Sequence, residues 1–135
     1  MLKKLALIFG IVFLVIGIAG FIPALAPANA NGQLLLHIFQ INTVQSIIHL
    51  LSAAAALAAF AGGAYYAATY FKVFGAVYAA VALWGLPGFT HTFNGVLFGL
   101  IHVNVATELL HIAIAAVSLY AGFSLREDAP APKTA

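Results

Sequence analysis

The sequence predicts an all-α membrane protein with four transmembrane helices, and three observations lead to this fold class. Of the 135 residues, 64% are hydrophobic and only 6% are charged. The mean hydropathy is +1.10. The apolar residues fall into four long runs, separated by segments that contain Gly, Pro and Asn. Soluble domains carry about 25% charged residues, so this chain lacks the side chains that cover a water-facing surface, and lipid is the solvent that suits it.

Each apolar run is long enough for a helix that crosses the hydrocarbon core, which is about 30 Å thick and takes about 20 residues. The first run covers residues 5–22 and is closed by Pro23. The second ends at the paired glycines 62–63, a typical helix stop. The third is expected over residues 70–86. The fourth ends before the polar, Pro-rich tail 126–135, which is expected to be disordered.

The second and fourth runs are too long for one span, and an asparagine in each indicates a later helix start. Asn42 and Asn104 are placed as N-caps, whose side-chain oxygens accept hydrogen bonds from free backbone N–H groups of the first turn. Gln45 follows Asn42 by three residues, as in a capping box. Helices that start just after the asparagines have spanning length. Residues 34–41 and 96–103 are therefore predicted to be short interfacial or re-entrant segments before helices 2 and 4.

The two halves of the chain resemble each other in sequence. An offset of 62 residues places Asn42 on Asn104 and His49 on His111, and an offset of 65 aligns the first apolar run with the third. This pattern indicates two tandem helix pairs, helices 1 and 2 and helices 3 and 4, in which the two helices of each pair are joined by a loop. The predicted membrane domain covers residues 1–125, with repeat one at about 5–61 and repeat two at about 70–123.

The first run could be mistaken for a cleaved signal peptide, because residues 28–30 have the small-x-small form of a cleavage site. Its internal counterpart in the second half cannot be a signal peptide. Its 18 apolar residues also exceed the roughly 7–15 of a signal peptide's apolar region. We therefore expect residues 1–22 to be a permanent helix.

The positive charges predict the orientation. They all fall on the side shared by the N-terminus, the middle loop and the tail, and the other two loops carry no charge. Because positive loops stay in the cytoplasm, both termini are expected there, and both repeats then have the same orientation. The five positively charged residues are Lys3, Lys4, Lys72, Arg126 and Lys133.

Composition and motifs exclude several functions. The chain has no cysteine, which excludes disulfides and thiolate chemistry. A net charge of +2 without a basic patch gives no support for a nucleic-acid partner. No phosphate-binding glycine loop, "HExxH", "GxSxG" or paired carboxylate occurs, so enzyme activity is not expected.

The starts of the even-numbered helices carry a family resemblance. The segments "IFQINTVQSIIHLLSAAAALAA" and "VNVATELLHIAIAAVSL", with the apolar runs before them, resemble the small bacterial four-helix membrane proteins of domain-of-unknown-function family 4383. The resemblance extends over about residues 5–123. It implies four spans and a bacterial source, hence the inner membrane, and it implies no activity.

His49 and His111 occupy equivalent positions, about seven residues into their helices. On a two-fold axis they share one depth and could face each other across the bundle. One interpretation is that each histidine hydrogen-bonds a neighbouring helix and locks the bundle in a medium without water. The other is that the pair binds a cofactor, as the axial histidines of a b-type haem do. The sequence does not decide whether a cofactor binds, or which one.

Glu108 is the one acidic residue inside the predicted membrane boundary. Together with His111 it could relay a proton, or it could bind a divalent cation with His102 nearby. Alternatively, its position in the first turn lets the carboxylate interact with the helix dipole and with interfacial water. Its counterpart in the first half is Ser46, so the acid is not part of the duplicated framework.

The sequence therefore predicts a small integral inner-membrane protein that acts as a structural or accessory subunit. Its expected partners are membrane lipids, a second copy of itself or a larger membrane complex. Cofactor binding at His49 and His111, and proton or cation conduction around Glu108 and His111, are the alternatives.

Overall fold

The computed structural model describes residues 1–86 and 95–125, and its main elements are four helices. Each of them is long and apolar enough to cross a membrane, so the chain is a multi-pass membrane protein. At a rise of about 1.5 Å per residue they are roughly 27 to 33 Å long, which matches the hydrocarbon core. The helices are α1 (Leu2–Ala19), α2 (Thr43–Gly62), α3 (Ala64–Gly85) and α4 (Val105–Ser124).

Helices α2 and α4 begin directly after the two asparagines, where the sequence places them. The other two helices differ from the predicted bounds. Helix α1 ends at Ala19 rather than at residue 22, because the chain then turns through a series of short-range backbone hydrogen bonds. Helix α3 begins at Ala64, six residues before the predicted start. Gly63 alone separates α2 from α3, since its φ of 107° reverses the chain within one residue.

The segments before α2 and α4 are antiparallel β-hairpins, which the predicted all-α bundle did not include. Hairpin 1 joins β2 to β3, with β1 added at its edge, and hairpin 2 joins β4 to β5. In hairpin 1 Gln33 pairs with Ile41, and in hairpin 2 Gly95 pairs with Val103. The register is the same after an offset of 62 residues. The strands are β1 (Ala28–Asn29), β2 (Gly32–Leu35), β3 (Phe39–Ile41), β4 (Gly95–Leu97) and β5 (Ile101–Val103).

Both hairpin turns use the left-handed backbone region. Leu36 and His37 have φ values of 52° and 59°, and Phe98 and Gly99 have values of 53° and 71°. These positions also correspond after an offset of 62 residues. Three of the four carry a side chain in a conformation that costs roughly 1–2 kcal/mol for an L-residue. The turn geometry is therefore held in place by contacts outside the hairpins.

The helices pack as two close pairs, α1 with α2 and α3 with α4. A leucine of one helix lies directly over a glycine of the other in each pair. A Cβ built on Gly10 would lie 2.6 Å from the Leu57 side chain, and one on Gly75 would lie 2.9 Å from the Leu119 backbone nitrogen. Such close approach is how helices associate in lipid, where packing replaces the hydrophobic driving force.

Aromatic rings from α1 and α3 fill the space between the two pairs. The Phe9 ring meets the Phe71 ring edge-on at 5.0 Å, and Phe13 meets Phe74 in the same way at 5.3 Å. Tyr78 continues this cluster toward the hairpin end of the bundle, where α2 and α4 begin. The interior polar groups described below lie at that end.

Candidate functional site

Asn42 and Asn104 cap the two even-numbered helices. The Asn42 Oδ1 accepts a hydrogen bond of 2.9 Å from the backbone N–H of Gln45, and the Asn104 Oδ1 accepts one of 2.9 Å from that of Thr107. Both asparagines have extended backbone angles, as N-cap residues do. The caps fix the point at which each hairpin becomes a helix.

The same two asparagines also connect the halves of the protein. The Asn42 Nδ2 donates to the backbone carbonyl of Leu100 at 2.6 Å, and the Asn104 Nδ2 donates to that of Ile38 at 2.8 Å. Ile38 and Leu100 occupy corresponding positions in the two hairpin turns. Each asparagine therefore caps its own helix with its oxygen and holds the turn of the other hairpin with its nitrogen.

His102 belongs to this hairpin layer. Its Nδ1 lies 2.9 Å from the Asn42 Nδ2. Because the amide nitrogen can only donate, we assign Nδ1 as the acceptor and place the ring proton on Nε2. His102 thus contacts the first half of the chain, and its role beside Glu108 in binding a cation stays a prediction.

His49 and His111 line one enclosed cavity of about 90 Å³ beneath hairpin 1. Both helix pairs contribute to its walls, so the two equivalent histidines do face a common space. Apolar side chains of the hairpin, including Leu36 and Phe39, close the cavity on the hairpin side. Gln45 and Thr107 lie among the lining residues.

Several polar atoms around this cavity lack a hydrogen bond from the described part of the protein. They are the Gln45 Oε1 and the Nδ1 atoms of His49 and His111, and each is buried. A buried polar atom without a partner costs about 1–3 kcal/mol, so such atoms are normally bonded to protein or to ordered water. The Gln45 amide, with 3% of the residue exposed, was not identified from the sequence as part of a site.

Glu108 lies beside the cavity and is almost completely buried, with 1% of the residue exposed. Its Oε2 is 3.5 Å from the His111 Nδ1, and neither carboxyl oxygen has a hydrogen bond within residues 1–86 and 95–125. The carboxyl group packs on Gly85, where a Cβ would collide with it. The first half has the same arrangement with Ser46 on Gly20, except that the Ser46 hydroxyl donates to the Asn42 carbonyl at 3.3 Å.

Comparison with known families identifies the chain. The family model described as Domain of unknown function (DUF4383) matches residues 3–124. The protein belongs to this family. No curated protein and no solved structure matches it. The resemblance found in the sequence is confirmed, and DUF4383 membership itself assigns no activity to the cavity or to Glu108.

The remaining predicted ligand roles can be compared with this geometry. No group of three His, Asp or Glu side chains is arranged to hold a metal ion in the part of the chain that the structure describes. His91 lies outside that part, and His37 is exposed on the turn of hairpin 1. Haem ligation by His49 and His111 stays a prediction. The cavity of about 90 Å³ is well below the roughly 300–1,000 Å³ of cofactor pockets, so the helix pairs would have to separate.

Proposed function

We propose that this DUF4383 protein is a small bacterial inner-membrane protein that acts as a structural or accessory subunit through the packing of its helices. The supporting observation is the separation of polar and apolar side chains. The asparagine bonds that join the two halves and the Glu108–His111 contact within α4 all lie at the hairpin end. The helices present large apolar side chains outward, as Val15, Leu51 and Leu109 do. The outer surface is suited to lipid or to the helices of a membrane partner.

The proposal includes two tandem helix-pair repeats related by an axis along the membrane normal. The shared hairpin register, the reciprocal asparagine bonds and the equivalent glycine–leucine contacts support it. Two repeats with this relation have the same orientation in the membrane.

Both termini are proposed to be cytoplasmic. The Lys3 ammonium lies 5.4 Å from the centre of the Phe60 ring, and the Lys72 ammonium lies 5.4 Å from that of Phe123. Both lysines are thus at the end of the bundle opposite the hairpins, whereas residues 20–42 contain no charged side chain. This asymmetry supports a cytoplasmic lysine end by the positive-inside rule.

Purification from native membranes tests the accessory role. A tagged protein, extracted in a mild detergent and passed over an affinity column, should be recovered with a membrane partner in fixed stoichiometry. Leu51 on α2 and Leu109 on α4 both face outward. If only one of the variants Leu51→Trp and Leu109→Trp loses the partner, the interface lies on the helix that carries that residue. Recovery as a lone monomer in several mild detergents would contradict the proposal.

Proton or cation conduction is a second candidate, which one observation favours. A buried carboxyl group without a hydrogen bond from the described residues lies next to an imidazole, and intramembrane acids are commonly functional. Reconstituted liposomes should then show a pH-dependent ion flux that Glu108→Gln abolishes. The Ser46→Ala variant changes the equivalent position of the other half and should leave the flux intact. Equal flux in Glu108→Gln and the unaltered protein would exclude this role.

A further inference from the structure

We propose that the cavity between His49 and His111 is a binding site for a small cluster of water molecules, and that His111 connects this water to the Glu108 carboxyl group. This inference rests on the site behind the second candidate function and does not require that ions cross the membrane. It assigns a ligand to the cavity, which neither the family nor the sequence does.

The size of the cavity, and the polar side chains of Gln45, His49 and His111 in its mostly apolar lining, point to water. One water molecule needs about 10–15 Å³ of such space and two to four polar partners. The cavity, at about 90 Å³, has room for several. The Gln45 Oε1 and the His49 Nδ1 are buried without a partner in the described residues. A purely apolar occupant would leave both unsatisfied, and a drug-sized cofactor would not fit.

Gln45 makes the strongest case for a polar occupant. Its backbone N–H is used by the Asn42 cap, yet its side-chain oxygen is buried and unbonded within the described residues. The residue is 97% buried and lines the cavity together with both histidines. In a dry cavity the glutamine amide would be buried without a hydrogen bond, which costs free energy. A leucine would fill a similar volume without this cost.

His111 is placed between the cavity and Glu108. Its ring lines the cavity, and its Nδ1 lies 3.5 Å from the Glu108 Oε2. This separation is longer than a hydrogen bond, and a small rotation of either side chain would close it. The other titratable groups that face His111 are His49 from α2 and Tyr78 from α3, whose ring centre is 5.6 Å away.

The relay that we propose moves one proton. A hydronium ion in the cavity gives its proton to one nitrogen of the His111 imidazole and becomes water. The imidazole releases the proton on its other nitrogen to the carboxylate oxygen of Glu108. One N–H bond forms and one breaks, so the ring ends neutral and the carboxylate becomes a carboxylic acid. No oxidant or further reactant is needed.

The first half of the protein provides an internal comparison. Ser46, the counterpart of Glu108, packs on its glycine in the same way and hydrogen-bonds to the Asn42 carbonyl. The scaffold therefore accommodates a small neutral residue at this position. A carboxyl group there adds a proton-binding group to one half only, next to the cavity.

Solid-state NMR in lipid bilayers tests the hydration directly. With ¹⁵N-labelled histidine, polarisation transferred from water should reach the His49 and His111 rings about as fast as it reaches exposed His37. His49→Phe and His111→Phe assign the signals. Gln45→Leu should remove most of the fast transfer to both rings, whereas Ser52→Ala, which lies on α2 outside the cavity, should not. Slow transfer to both rings in the unaltered protein would overturn the proposal.

Infrared spectroscopy tests the link to Glu108. At acidic pH the protein should show a carboxylic acid C=O band that shifts in ²H₂O and is absent from Glu108→Gln. A band that fails to exchange would show that Glu108 has no connection to water and would overturn that part of the proposal. Hydrated histidines and an exchanging carboxyl group without any liposome flux would support the water site while contradicting ion conduction, so the two ideas fail separately.

Discussion

At the scale of single residues, Asn42 and Asn104 each cap a helix with the side-chain oxygen and bond the opposite hairpin with the side-chain nitrogen. The N-cap role of Asn42 and Asn104 follows from local chemistry, because the cap involves only the next three residues. Their bonds to Leu100 and Ile38 join positions about 60 residues apart and depend on how the hairpins pack. The reciprocal pattern becomes visible only once both hairpins are placed in space.

The histidines and Glu108 show the same limit. The offset of 62 residues predicted that His49 and His111 lie at one level, and they do line one cavity. The sequence could not predict the contribution of Gln45, because a glutamine three residues after an N-cap has an ordinary local explanation. It also could not predict that His102 contacts Asn42, since this depends on the pairing of β4 with β5.

Replacement of Glu108 by glutamine should not destabilise the protein. The carboxyl group is buried without a hydrogen bond from the described residues, so it contributes little to stability and costs desolvation free energy. We expect the free energy of unfolding of Glu108→Gln, measured by circular dichroism in detergent, to be unchanged or about 1 kcal/mol higher. The control Ser46→Ala removes an existing hydrogen bond and should lower it slightly. A loss of more than about 2 kcal/mol in Glu108→Gln would indicate a structural role for the acid.

Replacement of His37 by glycine should stabilise the protein. His37 is exposed and has a φ of 59°, where L-residues are strained and glycine is not. We expect the free energy of unfolding to rise by about 1 kcal/mol, as a small increase in the melting temperature. The second hairpin provides the reverse control, because Gly99→Ala introduces this strain where a Cβ has open space. A lower melting temperature for His37→Gly would show that the imidazole has an unrecognised structural role.

At the scale of helices, the predicted helix ends agree with the structure where a capping asparagine or a glycine pair marks them, as at the starts of α2 and α4 and at the end of α2. The start of α3 was missed because "AYYAATY" lacks a continuous apolar run, although a glycine with positive φ lets a helix resume at once. The hairpins were predicted only as interfacial segments, since a short apolar run such as residues 34–41 has no periodicity that separates a strand from a helix. Long-range pairing decides between them.

The approach of α3 to α4 should be sensitive to one methyl group. A Cβ built on Gly122 would lie 2.7 Å from the Lys72 backbone nitrogen, and backbone cannot move aside as a side chain can. We expect Gly122→Ala to lower the free energy of unfolding by about 1–3 kcal/mol, the usual cost of overpacking. The control Ala116→Leu adds more volume on an exposed, lipid-facing position of α4 and should change stability by less than about 0.5 kcal/mol. Equal effects of the two variants would contradict the packing described for this pair.

The hairpin tips should lie in the interfacial layer of the membrane. Leu36, Ile38, Phe98 and Leu100 are each more than half exposed, and such apolar tips are unfavourable in bulk water. The single tryptophan, Trp84, stacks on Phe98 at 5.0 Å and reports on this layer. In bilayers with brominated lipids, its fluorescence should be quenched more by bromine near the headgroups than by bromine near the chain ends. Strong quenching by a water-soluble agent and none by lipid would place the tips in solvent.

At the scale of the whole molecule, the protein consists of two close helix pairs with sparser contacts between them. The aromatic cluster of α1 and α3 joins the pairs along these helices. At the hairpin end they are joined by hydrogen bonds, among them the reciprocal bonds of Asn42 and Asn104 and the bond from the Thr107 hydroxyl to the Gln40 carbonyl. The Asn104 bond also holds hairpin 1 over the cavity. The central claim is that the two asparagines connect the halves and keep the polar interior closed.

The most direct test is the stability of the double variant Asn42→Ser/Asn104→Ser. Serine is a good N-cap, so the helix starts should be retained, while its short side chain cannot reach the carbonyl of the opposite hairpin. We expect the free energy of unfolding in mild detergent to fall by roughly 1–3 kcal/mol, the net value of two hydrogen bonds, with unchanged helix content. A double variant that unfolds within about 0.5 kcal/mol of the unaltered protein would contradict the claim, because the halves would then be held together by other contacts, such as helix packing and the bond from the Thr107 hydroxyl to the Gln40 carbonyl.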